Sequence, residues 1–156
     1  MIDTSLSIKT VRFGEIEFSE LDVVNFRDGL VGLDALKRFL ILNVKGGSPF
    51  RWLQSLDEPT FAMLVVSPRT YQATYDPPIT EEDLQNLGLG SNDSAIVYVT
   101  AAIPPGSPTD MTLNLSGPIV INPANQEARQ IVLSDETYNV KQRVFPQEES
   151  VGQKAA

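Results

Sequence analysis

The chain has 156 residues, a net charge of −8, no cysteine and no histidine. That length fits a single domain able to bury about 68–70% of the surface its unfolded chain exposes. The missing residue types exclude a disulfide framework, a thiolate nucleophile and a cysteine metal site, and remove the commonest general base and zinc ligand. The acidity makes free DNA or RNA a poor partner, since phosphate binding needs a basic footprint. It serves solubility, or a face that steers a basic protein partner into contact.

The chain starts Met-Ile-Asp-Thr-Ser, with no basic n-region and no apolar h-region, so no signal peptide is expected. No apolar run nears the ~20 residues of a membrane span, and a soluble cytoplasmic protein is the expectation. Thr10–Phe13 alternates, Gly14 punctuates, and Glu15–Phe18 alternates again, as a hairpin or as one strand bent at Gly14. Val11, Phe13, Ile16 and Phe18 are expected inside, with Arg12, Glu15 and Glu17 in water. Two glutamates two residues apart share the outer face of such a strand, so a solvated face explains them before acid–base chemistry does.

Leu21–Phe26 reads as a short strand and Asp34–Arg38 as a helical turn. Phe39–Leu42 is apolar throughout, as a central strand covered on both faces would be. Gly46-Gly47 connects it to Phe50–Ser55. The phosphate-loop pattern Gly-x-x-x-x-Gly-Lys-Ser/Thr is absent there. Leu56–Pro59 turns the chain into Phe61–Val66, and Trp52 is expected as a core anchor. Tyr71–Tyr75 suggests an edge strand.

The one clear helix signal follows. Thr80 is the N-cap, with Asp83 at N3 in a variant of the capping box. Ile79 and Leu84 have staple spacing, Glu81, Glu82 and Asp83 fill the first turn, and Gly88 closes the helix. These carboxylates thereby have a structural explanation that a metal site does not improve on. Ala95–Ile103 is a strand with Ile96, Tyr98 and Thr100 on one face and Val97, Val99 and Ala101 on the other. Pro104–Pro108 is a rigid loop.

Met111–Ser116 alternates, Gly117-Pro118 bends the chain, and Ile119–Ile121 is a β-branched strand stopped by Asn122-Pro123. Ile131–Leu133 reads as the returning strand. Residues 148–156 carry too little apolar content to pack and are expected to be a disordered tail on a single domain of residues 1–147. About ten short strands, one short helix and frequent turns give an all-β, mainly antiparallel fold, a small barrel or a sandwich.

Met111-Thr-Leu-Asn-Leu, Pro118-Ile-Val-Ile-Asn122 and Ala128-Arg-Gln-Ile-Val-Leu133 together resemble the signature of the FliW family of flagellar assembly factors. Phe13-Gly14-Glu15-Ile16, Ser48-Pro-Phe50, Leu53-Gln-Ser-Leu56 and Glu58-Pro59 fit it too. The match runs from about residue 9 to about residue 145, and its specificity lies in the order and spacing of the motifs. One turn departs: where relatives carry Pro-Glu-Gly-Leu-Pro-Gly, this chain has Arg27-Asp28-Gly29-Leu30-Val31-Gly32, so the turn is expected to be less rigid.

The resemblance implies a barrel-like fold and a cytoplasmic, non-enzymatic switch without cofactor or metal. Such a switch binds flagellin. When flagellin is exported it binds CsrA, a dimeric RNA-binding translational repressor, and antagonises it allosterically so that flagellin messenger RNA is translated. The free protein is expected to be a monomer, with no direct contact to nucleic acid or membrane. Candidate partner contacts are Asp57 and Glu58 at the hairpin tip, Ile103 and Pro104 at the proline loop, and Asn122 and Pro123 at the meander loop. Two other classes compete: a barrel holding a small apolar ligand, and a hydrolase built on carboxylate pairs such as Glu15 with Glu17 or Asp57 with Glu58.

Overall fold

In the computed structural model, which describes residues 6–90, 94–134 and 137–145, β1 (Leu6–Thr10) and β2 (Gly14–Phe18) form an antiparallel hairpin. The first strand therefore lies upstream of its expected place, and residues 11–13 are the turn. The Thr10 hydroxyl closes that turn, donating to the Gly14 carbonyl and accepting from the Phe13 amide, both at 2.9 Å. Val11 was expected inside, but as a turn residue it has no covering layer and is 74% exposed.

A 3-10 turn at Glu20–Asp22 replaces the first half of the strand expected over 21–26, and β3 is Val24–Phe26. Ser19 caps the turn, and the Asp22 carboxylate accepts from the Ser19 amide (2.9 Å). These local bonds hold the amides that a longer strand would need. Residues 34 and 35 form a turn, and 36 and 37 lead straight into β4, so no helical segment forms there. The strands that follow are β4 (Arg38–Asn43), β5 (Phe50–Ser55), β6 (Ala62–Val66), β7 (Ile96–Ala102), β8 (Thr112–Leu113), β9 (Ile119–Asn122), β10 (Glu127–Gln130) and β11 (Gln142–Arg143).

The pairing order is β11-β8-β7-β6-β5-β4-β3-β10-β9, and β9 also pairs with β7. Seven strands, from β7 through β6, β5, β4, β3 and β10 to β9, thus close into a ring. Only β3 and β10 run parallel. Closure removes the open edges that a sheet of this size would otherwise present. One core cluster contains Val24, Phe26, Phe39, Leu53, Val65, Ile119, Ile121 and Ala128, with Tyr98 packed against it. It draws on every ring strand, which places it inside the barrel.

The outer face of the ring is covered in two places. Val66 and Val99 pack with Leu113, Leu115 and Tyr75, and Val120 packs with Leu87, Leu89, Ile131 and Leu133. The two faces expected for β7 are those observed: Tyr98 points in, while Val97 and Val99 join the outer clusters. Trp52 departs from expectation. Its register neighbours Leu42 and Leu64 place it on the outer face of β5, half-buried, with Phe13 edge-on at 5.8 Å and the Arg12 guanidinium 4.3 Å from its ring.

Residues 71–75 form no strand. Pro68 opens a 3-10 turn, and the Tyr71 and Gln72 amides are spent on its carbonyl (3.2 and 2.9 Å). Tyr75 is instead a buried plug whose hydroxyl donates to the Leu115 carbonyl at 2.7 Å. Burial, helped by neighbouring Tyr138, pushes its phenol well above the ordinary range.

The helix α1 (Glu81–Asn86) has the expected ends. The Thr80 side chain accepts from the Asp83 amide (3.1 Å). Gly88 sits at φ +74°, with the Gly88 amide on Gln85 O (2.9 Å) and the Leu89 amide on Leu84 O (2.8 Å). This is the Schellman pairing that a glycine at C′ permits. The Asp83 carboxylate faces Arg129 at 3.7 Å.

Met111, Leu113, Leu115 and Gly117 are buried in strict alternation with half-buried neighbours, although only Thr112 and Leu113 join a ladder. The returning strand starts at Glu127, earlier than expected. Ile131 and Leu133 extend its register by donating to Pro118 O (2.8 Å) and Ser116 O (2.9 Å). Pro118 has no N–H, so it serves the pairing through its carbonyl alone. The expected tail of residues 148–156 lies outside the described residues.

Candidate functional site

The ring carries the six candidate contacts to two places. The hairpin tip between β5 and β6 holds Asp57 and Glu58. Pairing of Leu64 with Ala101 sets the start of β6 beside the end of β7, where Ile103 and Pro104 follow. These four residues share one mouth of the barrel. On β9, Ile121 pairs with Ile96 at the opposite end of β7, so Asn122 and Pro123 belong to the other mouth. The seven residues of β7 separate the two by about 20 Å, at ~3.3 Å per residue.

The first mouth is built by its own polar groups. The Ser55 hydroxyl accepts from the amides of Asp57 (3.0 Å) and Glu58 (2.8 Å). One Asp57 carboxylate oxygen accepts from the amides of Lys37 (2.7 Å) and Arg38 (3.0 Å), tying the tip to the start of β4. Gln54 is wholly buried, and its Nε2, with two hydrogens to give, lies among the carbonyls of Ser55 (2.9 Å), Phe61 (3.0 Å) and Pro59 (3.2 Å). Glu58 stays exposed and accepts from the Thr60 hydroxyl (2.7 Å). Ile103 is 43% exposed, and Pro104 beside it is exposed. The result is an acidic tip, tied to β4, and an exposed apolar loop after β7 at the same end of the barrel.

Asn122 is different. It is only 5% exposed, with its side chain donating to the Leu87 carbonyl (2.8 Å) and accepting from the Ala124 amide (2.9 Å). It joins the end of α1 to the β9–β10 turn, with both side-chain polar atoms engaged within the chain. Pro123 next to it is exposed. Glu15 and Glu17 lie exposed on β2, and Asp57 is committed to backbone amides, which leaves the hydrolase pairs without a shared cleft of their own.

Sequence reasoning missed a groove of about 440 Å³ at the second mouth, between the β1–β2 hairpin and the ring. Ile16, Phe18, Leu21, Leu42, Ile96 and Ile121 supply its apolar wall. Glu17 and Asp22 are its only charged lining residues. The alternation of β2 and the apolar run of β4 were legible, but nothing local says that the hairpin lies across β4.

The turn at residues 27–32 has no proline, yet it is tied down. Leu30 and Leu33 exchange backbone bonds (3.3 and 2.8 Å), and the Val31 amide donates to the Gln130 side chain (3.0 Å).

Comparison with known proteins gives one family. The FliW protein model matches residues 7–144. The flagellar assembly factor FliW of Leptospira biflexa is 31% identical over 141 residues, covering 90% of this chain and 92% of that protein. FliW of Bdellovibrio bacteriovorus is 36% identical over 138 residues, covering 88% and 78%. A crystal structure of the flagellar assembly factor FliW superposes with a TM-score of 0.85 at 31% identity, covering 92% of this chain and 99% of that one.

Proposed function

This chain belongs to the FliW family of flagellar assembly factors, and on that premise we propose that it works as a non-enzymatic protein-binding switch in the cytoplasm. It binds flagellin and, once flagellin is exported, captures a CsrA-type repressor, so that flagellin messenger RNA is translated. The observation that carries this reading is the first mouth, where Asp57 and Glu58 share one end of the barrel with exposed Ile103 and Pro104. An apolar centre with charged flanks is how protein interfaces are built, and a loop fixed beforehand loses little entropy on binding.

Inside the ring Phe26, Phe39, Leu53, Val65 and Ile119 pack into one cluster. Among the described residues no helix is long and apolar enough to cross a membrane.

The test is association kinetics with CsrA at two ionic strengths. Net charge −8 predicts fast association that slows as salt rises. Glu58→Lys is expected to lower the association rate and flatten its salt dependence. Ile103→Asp is expected to raise the dissociation rate about tenfold or more. Absence of binding at micromolar concentrations overturns the switch. Binding that neither variant changes retains the switch and moves it off this mouth.

A further inference from the structure

We propose that the groove at the second mouth docks a segment of a partner protein that presents an apolar side chain flanked by lysine or arginine. The site lies at the opposite end of β7 from Ile103 and Pro104, so it stands apart from the repressor-binding reading and is tested separately.

The first ground is shape and surface. Leu21 is 84% exposed and Ile96 is 39% exposed, and both line a groove floored by Leu40, Ile41 and Ile121. Leu21 is not on a loose loop. Its 3-10 turn is locked by reciprocal bonds between Ser19 and Asp22, so the leucine is held out at the rim. A large apolar side chain fixed in water beside an apolar trough gains by being covered. At about 440 Å³ the groove accommodates one or two large side chains.

The second ground is charge. Both charged lining residues, Glu17 and Asp22, are acidic, and Glu15 and Glu20 flank them in sequence. Glu20 is occupied by Arg38 at 2.9 Å, and Glu15 lies opposite Lys9. Among the described residues no cation pairs with Glu17 or Asp22. A basic residue adjacent to the docked side chain would supply the missing charge on the rim, at the desolvation cost of a partly exposed pair only.

The probe is a fluorescein-labelled twelve-residue peptide of leucine and lysine, with a matched peptide carrying glutamate for lysine, titrated into the full chain. The lysine peptide is expected to bind, more weakly as salt rises, and the glutamate peptide at least tenfold more weakly. Leu21→Glu and Glu17→Lys, both at exposed positions, are each expected to weaken the lysine peptide five- to tenfold without lowering the melting temperature. Glu58→Lys, at the first mouth, is expected to leave its affinity unchanged. Amide chemical-shift changes should centre on Ile16, Phe18, Leu21 and Ile96. Equal binding of both peptides, no binding below millimolar concentration, or shift changes centred elsewhere overturns the proposal. So does an uncharged fatty alcohol that fills the groove equally well in wild type and Glu17→Lys, which would assign the site to a small apolar ligand.

Discussion

Asn122→Ala separates a partner contact from an internal tie. The substitution removes the bond to the Leu87 carbonyl (2.8 Å) and the bond from the Ala124 amide (2.9 Å). Ala124 is exposed, so water can replace the second bond at little cost. The Leu87 carbonyl is left with the Asn125 side chain at 3.4 Å, a long and weak substitute. An orphaned buried acceptor costs ~1–3 kcal/mol, so the whole change should cost ~2–3 kcal/mol. For a chain of this size that is a fall in melting temperature of roughly 5–10 °C. Asn122→Asp should be at least as destabilising at neutral pH, because an ionised carboxylate cannot donate and would face the Leu87 carbonyl with a second acceptor. Urea and thermal unfolding measure both. A variant within about 0.5 kcal/mol of wild type that has lost CsrA binding refutes this reasoning and restores Asn122 as a contact.

Two other expectations follow from buried geometry. Tyr75→Phe should cost about 1 kcal/mol at neutral pH by unpairing the Leu115 carbonyl. Since the folded phenol resists ionisation, wild-type stability should hold below about pH 10 and fall as the unfolded tyrosine ionises above it, by up to ~1.4 kcal/mol per pH unit. Urea titrations from pH 7 to 11 should show that part of the slope missing in Tyr75→Phe, and an identical slope would be the contrary result. Gly29→Ala and Gly32→Ala make a matched pair, both at positive φ (+70° and +79°). A Cβ on Gly29 would lie 2.4 Å from the Asp34 Cα, whereas one on Gly32 meets nothing within 4 Å. Gly32→Ala should cost only the ~1–2 kcal/mol of left-handed backbone, and Gly29→Ala clearly more. Equal melting temperatures for the two would contradict the packing.

What the sequence made legible was local. The helix could be placed because its cap, first-turn carboxylates, staple and closing glycine all fall between Ile79 and Gly88. The alternation of Met111, Leu113 and Leu115 was correct even where the ladder is short, because burial follows side-chain direction and not hydrogen bonding. The errors concern what covers what. Val11 and Trp52 have the apolar character of core residues, and only the placement of the β1–β2 hairpin on the outer face of the ring decides their exposure. Closure rests on β3 with β10 and on β7 with β9, pairings between segments far apart in the chain that no short pattern announces. The same closure unites Asp57, Glu58, Ile103 and Pro104 and excludes Asn122. Asn-Pro reads as a surface turn, yet the asparagine side chain turns back to Leu87.

The charge of the molecule takes its meaning from where the arginines go. Arg27, Arg38, Arg129 and Arg143 are paired with Glu127, Glu20, Asp28 with Asp83, and Asp110 respectively. Arg51 donates to the Ser48 and Phe50 carbonyls, Arg69 to the Tyr75 carbonyl, and Arg12 lies over Trp52. Every guanidinium therefore has a partner within the chain. Exposed pairs of this kind add little stability, and the seven arginines are dispersed over separate partners where phosphate recognition would need them clustered. The carboxylates are in excess, 20 against 12 basic residues, and Glu58 and Glu17 are exposed at opposite mouths. A surface that presents carboxylates while its arginines meet partners within the chain favours a basic protein surface over nucleic acid.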